Sequence, residues 1–82
     1  MGRVIEMQKL SYRILLRPEP EGGYTVIVPS LPGCVTYGKT VREARTMAAD
    51  AIQAYLASVR KHGERIIDDS ETFEGTLQVS IA

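Results

Sequence analysis

The sequence predicts a two-layer α+β domain in which one helix packs on a mostly antiparallel sheet, with the element order β-β-β-α-β. Two neighbouring segments alternate apolar and polar residues on either side of a turn rich in proline and glycine, which is typical of a β-hairpin. One long segment then repeats apolar residues at helical spacing, and a short final segment alternates again. Because one amphipathic helix covers only one face of a sheet, this order predicts two layers.

The hairpin is predicted from residues 9–18 and 23–28, with the turn sequence PEPEGG between the two strands. Placing Leu16 opposite Tyr24 sets a register in which the apolar residues share one face of the sheet. A slip of one residue would move these side chains to the other face. The six residues on the shared face are Tyr12, Ile14, Leu16, Tyr24, Val26 and Val28.

Two prolines end the second strand, because a proline cannot donate a backbone hydrogen bond to a sheet. Pro29 and Pro32 therefore place the end of that strand near Val28, and residues 34–37 form a short third strand. The helix is rich in alanine, so small residues suit the sheet face beneath it. This reasoning assigns Cys34 and Thr36 to the helix side and Val35 and Tyr37 to the opposite side.

The helix is predicted over residues 41–62. Thr40 and Glu43 have the spacing of a capping box, in which each side chain binds the backbone N–H of the other residue. Gly63 supplies the left-handed residue that ends the helix. Residues 76–82 alternate apolar and polar side chains and are predicted to form a final half-buried strand.

The length of 82 residues predicts a single domain over residues 1–82, in which residues 1–8 form a flexible tail or extend the first strand. Ten basic and ten acidic side chains cancel, which disfavours non-specific binding to nucleic acid. No apolar run approaches the roughly 20 residues that span a bilayer, and the chain does not begin with a secretory signal. The single cysteine excludes an internal disulfide, so we expect a cytoplasmic protein without membrane contact.

No set of residues predicts catalysis, a cofactor or a metal site. Cys34 is a candidate nucleophile, but a buried structural cysteine is favoured over it. His62 falls in the last helical turn, where a cation suits the helix dipole. A metal-dependent nuclease using Asp50, Asp68 or Asp69 is a competing hypothesis, although the acidic loop lacks the pattern of a calcium-binding loop.

A binding surface is predicted instead. The face of the sheet that the single helix leaves uncovered is half apolar, and such patches on small domains mark interaction sites. This face, or a strand edge, would bind a partner protein or a second copy in a dimer or tetramer. The predicted interface residues are Arg13, Leu15, Thr25, Ile27, Val35 and Tyr37.

Residues 10–63 resemble the HicB-like antitoxins. The resemblance rests on a hairpin, a P-x-L-P-G-C segment, a short strand, a G-x-T helix cap and a helix that contains an E-A pair. The matching residues are Pro29, Leu31, Pro32, Gly33, Cys34, Gly38, Thr40, Glu43 and Ala44, with Gly63 ending the helix.

The resemblance implies a partial ribonuclease-H-like fold and a partner, a HicA-type toxin that cleaves messenger RNA and is neutralised by the antitoxin. Family members often carry a C-terminal DNA-binding segment. Only a loop and one predicted strand follow Gly63, so this chain resembles a short form in which direct DNA binding is not expected. The resemblance does not imply nuclease activity, because strand one holds Ser11, Tyr12 and Arg13 where such nucleases carry carboxylates. The alternative is a stand-alone homo-oligomeric binding or regulatory protein without a catalytic role.

Overall fold

A computed structural model describes residues 9–82. Its elements are β1 (Leu15–Pro18), β2 (Tyr24–Ile27), β3 (Val35–Gly38) and α1 (Val41–Lys61). The three strands form one antiparallel sheet in the order β1-β2-β3. The α+β class is therefore confirmed, while the ribonuclease-H-like relationship stays a prediction. The prediction of a tail or strand extension at residues 1–8 lies outside the described residues.

The observed register of the hairpin differs from the predicted one by two residues. Leu16 lies opposite Val26, and Tyr24 lies opposite Pro18 rather than opposite Leu16. The predicted faces survive because side chains alternate with a period of two, so that a shift by two leaves each residue on its own face. The hairpin loop consequently spans residues 19–23, closed by a hydrogen bond from the backbone N of Glu19 to the carbonyl of Gly23 at 3.0 Å.

The first strand is shorter than predicted and begins at Leu15. The predicted strand would need residues beyond β2 as a partner for residues 9–14. Because β2 ends at Ile27 and the chain turns at Pro29, residues 9–14 have no strand to pair with on the β2 side. Their backbone instead bonds to the C-terminal loop, where the N–H of Asp69 donates to the carbonyl of Ser11 at 2.8 Å.

Two consecutive turns link β2 to β3. The N–H of Leu31 donates to the carbonyl of Val28 at 3.0 Å, and the N–H of Cys34 donates to the carbonyl of Leu31 at 2.9 Å. Gly33 has a φ of +83°, a conformation that glycine adopts without steric cost. This geometry points Leu31 and Cys34 inward, where each is 5% exposed.

The ends of α1 follow the predicted capping with one difference. Thr40 accepts a hydrogen bond from the N–H of Glu43 at 3.0 Å, but the Glu43 carboxylate accepts from Lys39 at 2.8 Å rather than from Thr40. At the other end, Gly63 has a φ of +70° and its N–H donates to the carbonyl of Arg60 at 3.0 Å. The helix therefore ends where the glycine was expected to stop it.

The core lies between α1 and the sheet and consists of two clusters. In the first, Val26 of the central strand packs against Ala44 and Ala48, which are 0% and 2% exposed. Small helix residues let the backbones approach closely, and Gly38 at the end of β3 is buried beneath the first helical turn. The second cluster consists of Val28, Leu31 and Cys34, with Tyr12, Ile14, Ala51, Ile52, Tyr55 and Leu56 packed around them.

The predicted fourth strand is absent from the described residues. Residues 76–82, called the C-terminal arm below, belong to no strand, and every one of them is exposed. A strand requires a neighbour for its backbone groups, and no segment within residues 9–82 pairs with the arm. The prediction of a half-buried strand is therefore wrong for the residues that the structure describes.

Candidate partner-binding surface

The sheet face that points away from α1, called the outer face below, carries a row of aliphatic side chains. The register aligns Leu15 with Ile27 and Ile27 with Val35, so that each strand contributes one residue. Leu15 and Val35 are 47% and 57% exposed, and Ile27 in the central strand is partly buried. Directly opposed residues in a sheet have neighbouring side chains. The three residues therefore form one apolar patch that faces solvent.

A second row beside this patch is more polar and is held by the protein itself. It aligns Arg17, Thr25 and Tyr37 across the three strands. The hydroxyl of Tyr37 donates to the carbonyl of Gly22 at 3.0 Å, and the hydroxyl of Thr25 donates to the carboxylate of Glu19. The polar groups of Thr25 and Tyr37 are thus bonded to the hairpin loop. The part of the outer face that remains available for a partner is the aliphatic row together with the apolar atoms of these two side chains.

Arg13, the remaining residue of the predicted interface, lies just before β1 and is bound by the C-terminal loop. Its guanidinium donates to the carbonyl of Thr72, and its Nε lies 3.3 Å from a carboxylate oxygen of Glu74. The structure therefore separates the six predicted interface residues into three exposed or partly exposed aliphatic residues and three polar or aromatic residues with intramolecular hydrogen bonds.

A buried aspartate, which the sequence did not single out as structural, holds the C-terminal loop against β1. Asp69 is only 3% exposed, and its carboxylate accepts hydrogen bonds from the backbone N of Arg13 at 2.9 Å and from the hydroxyls of Ser30 and Thr72. These bonds satisfy the charge that burial would otherwise disfavour. The Asp69 side chain thus links three segments that are distant in sequence. The sequence around Asp68 and Asp69 contains no signal that would mark Asp69, rather than Asp68, as the buried residue.

These contacts perturb the ionisation of the loop. The hydrogen bond from Ser30 is the largest of the effects that hold the pKa of Asp69 below its usual value. The pKa of Asp68 is also lowered, chiefly by the hydroxyl of Ser70. Burial raises the pKa of Tyr12, and the nearby Asp68 and Asp69 carboxylates add to that rise. Both carboxylates therefore favour the folded state in their charged form.

We predict that the protein loses stability in acid through these carboxylates. A pKa lowered by folding contributes stability above the unfolded value of about 3.9, and this contribution is lost as the pH falls through the folded value. Asp69→Asn should therefore be less stable than wild type at pH 7 and should show a shallower loss of stability below about pH 4. Urea unfolding monitored at a series of pH values measures both effects.

The matched control is Asp50→Asn, which changes an exposed aspartate on α1. It should retain the acid transition of the wild type. An Asp69→Asn variant with the wild-type pH profile would show that the Asp69 carboxylate does not hold the loop.

Cys34 and His62, two of the residues considered for catalysis, lie in the core and at the end of α1. Cys34 is buried in the second core cluster, and burial raises the pKa of its thiol, which opposes formation of the reactive thiolate. The ring of His62 lies at the end of α1, with Nδ1 2.8 Å from the carbonyl of Ser58. Within residues 9–82, no group of three or more histidine, cysteine, aspartate or glutamate side chains is placed to hold a metal ion.

Comparison with known proteins identifies the family. Residues 12–79 match a family described as the HicB-like antitoxins of bacterial toxin-antitoxin systems, a match that covers most of the chain. The chain belongs to the HicB-like antitoxin family. The match includes the three strands and the helix, and it extends through the Asp69 loop into the C-terminal arm.

Individual relatives agree with this assignment. A UPF0150 protein from Thermoplasma acidophilum is 43% identical over 61 residues, which cover 74% of this chain and 88% of the relative. A UPF0150 protein from Synechocystis is 38% identical over 56 residues, or 68% of this chain and 71% of the relative. Antitoxin HicB of Escherichia coli K12 is 44% identical over 43 residues, which cover 52% of this chain and 31% of that antitoxin. In the described part of this HicB-like chain, no helix has the length and apolar character needed to cross a membrane.

Proposed function

We propose that this HicB-like protein binds and neutralises a HicA-type toxin that cleaves messenger RNA, and that it does so through the outer face of its sheet. The observation that supports the proposal most strongly is the aliphatic row of Leu15, Ile27 and Val35, which lies on the face that α1 leaves open. Family membership supports a toxin as the partner. Messenger RNA is the substrate that the resemblance implies for this toxin, so we place their encounter in the cytoplasm.

The geometry of the outer face suits a protein partner. Three adjacent strands present a surface whose aliphatic row is bordered by Tyr37, a residue type that is common at interfaces because it combines apolar area with a polar tip. The hydroxyl of Tyr37 is already bonded to the hairpin loop, so the ring is held in place before binding. A preformed surface loses little conformational entropy on association, which favours affinity.

We also propose that the protein has no catalytic activity of its own. Asp69, a residue on which the competing nuclease hypothesis depends, uses its carboxylate to bind the chain's own backbone and hydroxyl groups. Asp68 likewise accepts hydrogen bonds from the backbone and hydroxyl of Ser70. Neutralisation would therefore operate by binding the toxin rather than by modifying it.

Capture of the partner from the native host tests the proposal. The chain, tagged at its N-terminus so that the C-terminal arm stays free, should retain a small HicA-type protein that mass spectrometry identifies. Expression of that protein alone should arrest growth, and co-expression of this chain should relieve the arrest. Growth arrest that persists during co-expression would contradict neutralisation, even if the two proteins bind.

A second candidate function, that of a stand-alone homo-oligomeric binding protein, is supported by the C-terminal arm. Its aliphatic side chains face solvent in the part of the chain that the structure describes, with Leu77 and Ile81 about nine-tenths exposed. Self-association and toxin binding are compatible, because the arm and the outer face are different surfaces.

A further inference from the structure

The C-terminal arm alternates apolar and polar residues as a strand does, but all of its residues are exposed to solvent. Leu77, Val79 and Ile81 alternate with polar residues and are 90%, 82% and 91% exposed. No side chain in residues 76–82 is charged, so the arm lacks the lysines and other charges that usually protect an unpaired strand from association. Three large aliphatic side chains in solvent on one side of a strand-like segment indicate that the arm pairs with another surface.

The loop that leads into the arm lies on the β2 side of the segment that precedes β1, since Asp69 also binds Ser30, which follows β2. The Asp69 loop is bonded to the backbone of Ser11 and Arg13, and the Arg13 guanidinium then reaches Thr72 and Glu74. Main-chain hydrogen bonding of this loop within the described residues ends with the N–H of Thr72, which donates to the carbonyl of Asp69 at 3.0 Å. The arm therefore starts on the opposite side of this segment from the outer edge of β1, which is the edge that faces away from β2, and does not follow that edge in its own chain.

An apolar groove lies beside the segment that leads into β1. Among residues 9–82, β1 pairs with β2 alone, so its outer edge is open in this part of the chain. Between the segment that precedes β1 and the helix lies an open groove with a volume of about 430 Å³. Arg45 and Gln53 contribute polar atoms to it, and its apolar lining comes from Leu10, Tyr12, Ile14, Ala48, Ile52 and Leu56. An added strand beside β1 would cover this groove with every second side chain, since residues i and i+2 of a strand share a face.

We infer that two copies of this chain exchange their C-terminal arms, each arm lying along the outer edge of β1 in the other copy with Leu77, Val79 and Ile81 in the groove. The occupant matches the site in chemistry, since an uncharged aliphatic strand meets an apolar groove beside an open strand edge. The strand comes from a second copy because each arm starts on the β2 side of its own chain, away from its own outer edge. Reciprocal exchange would bury the aliphatic side chains of both arms and fill both grooves in one closed dimer with twofold symmetry.

This exchange is independent of toxin binding. The outer face and the groove lie on opposite sides of the sheet, because the groove is formed with α1. Failure of the exchange would leave the proposed function intact, and failure of the toxin proposal would leave the exchange intact.

Light scattering of the purified full chain during size-exclusion chromatography tests the inference. The wild type should be a dimer at micromolar concentration. Val79→Asp should be monomeric, because a charge would have to enter the apolar groove without a partner. Ser80→Asp is the matched control and should remain dimeric, because Ser80 alternates to the other side of the arm. A monomeric wild type at all concentrations would overturn the exchange.

Complementation distinguishes arm exchange from pairing of the two arms with each other. Leu10→Asp changes the groove and should also give a monomer. When the Leu10→Asp and Val79→Asp variants are mixed, one intact arm meets one intact groove, so a weaker dimer should form. A Leu10→Asp variant that dimerises like wild type would overturn the inference, as would a mixture that stays monomeric.

A folding control accompanies both variants. Val79 is exposed in the single chain, so Val79→Asp should keep the helical circular dichroism of the wild type. Loss of that signal would show that the arm packs within its own chain, and this result would also overturn the exchange.

Discussion

Replacing Gly38 with alanine should lower the free energy of unfolding by about 3 kcal/mol, at the upper end of the cost of overpacking a core. Gly38 ends β3 directly beneath the first turn of α1. A Cβ atom at this position would overlap the backbone N and Cα of Ala44 and would lie 2.8 Å from the carbonyl carbon of Glu43. A side chain could rotate away from such a clash, but helix backbone cannot, so α1 would have to lift from the sheet.

The effect follows from the way the helix is held. Ala44 and Ala48 are almost completely buried and pack directly on Val26, so a small outward shift of α1 loosens all of these contacts. Gly75→Ala is the matched control, because a Cβ at Gly75 meets no atom within 4 Å. Urea unfolding of both variants should show a large loss for Gly38→Ala and a change near zero for Gly75→Ala. Equal stabilities would mean that the helix does not sit this close to the sheet.

Replacing Val35 with aspartate should weaken binding of the toxin by about tenfold or more, which corresponds to a loss of at least about 1.4 kcal/mol. Val35 continues the aliphatic row on the outer face and is 57% exposed, so the new charge should not disturb the isolated protein. In the complex, the same carboxylate would lose its hydration inside an apolar contact and gain no partner. The loss should therefore appear in affinity rather than in stability.

Val41→Asp provides the matched control for this substitution. Val41 is 49% exposed and is the first residue of α1, where a negative charge suits the helix dipole. Isothermal titration of the captured toxin with both variants should leave Val41→Asp close to the wild type. Equal affinities for all three proteins would place the toxin on some other surface.

Local physical chemistry explains which parts of the fold were predictable. Thr40 and Gly63 mark the two ends of α1 correctly, because capping depends on residues within one turn of the helix. The two faces of the hairpin were also predicted correctly, since alternation alone decides them. The register was wrong by two residues because it depends on the conformation of the five-residue loop, which the composition of that loop does not specify.

The parts that could not be predicted depend on contacts between distant segments. Alternation in residues 76–82 predicts a half-buried strand, but a strand also requires a neighbour with free backbone groups, and within residues 9–82 the arm has none. The role of Asp69 depends on Ser30 and Arg13, which lie 39 and 56 residues away in the sequence. The hydrogen bond of Tyr37 to Gly22 is likewise a product of the folded hairpin and sheet.

The central claim is that the outer face binds the toxin, and methyl NMR spectroscopy of the labelled protein tests it most directly. During stepwise addition of unlabelled toxin, the methyl signals of Leu15, Ile27 and Val35 should shift or broaden, while those of Val41 on the helix should change little. This result would place the toxin on the face that α1 leaves uncovered. Changes confined to methyl groups of α1, with the three outer-face residues unaffected, would contradict the proposed mode of binding.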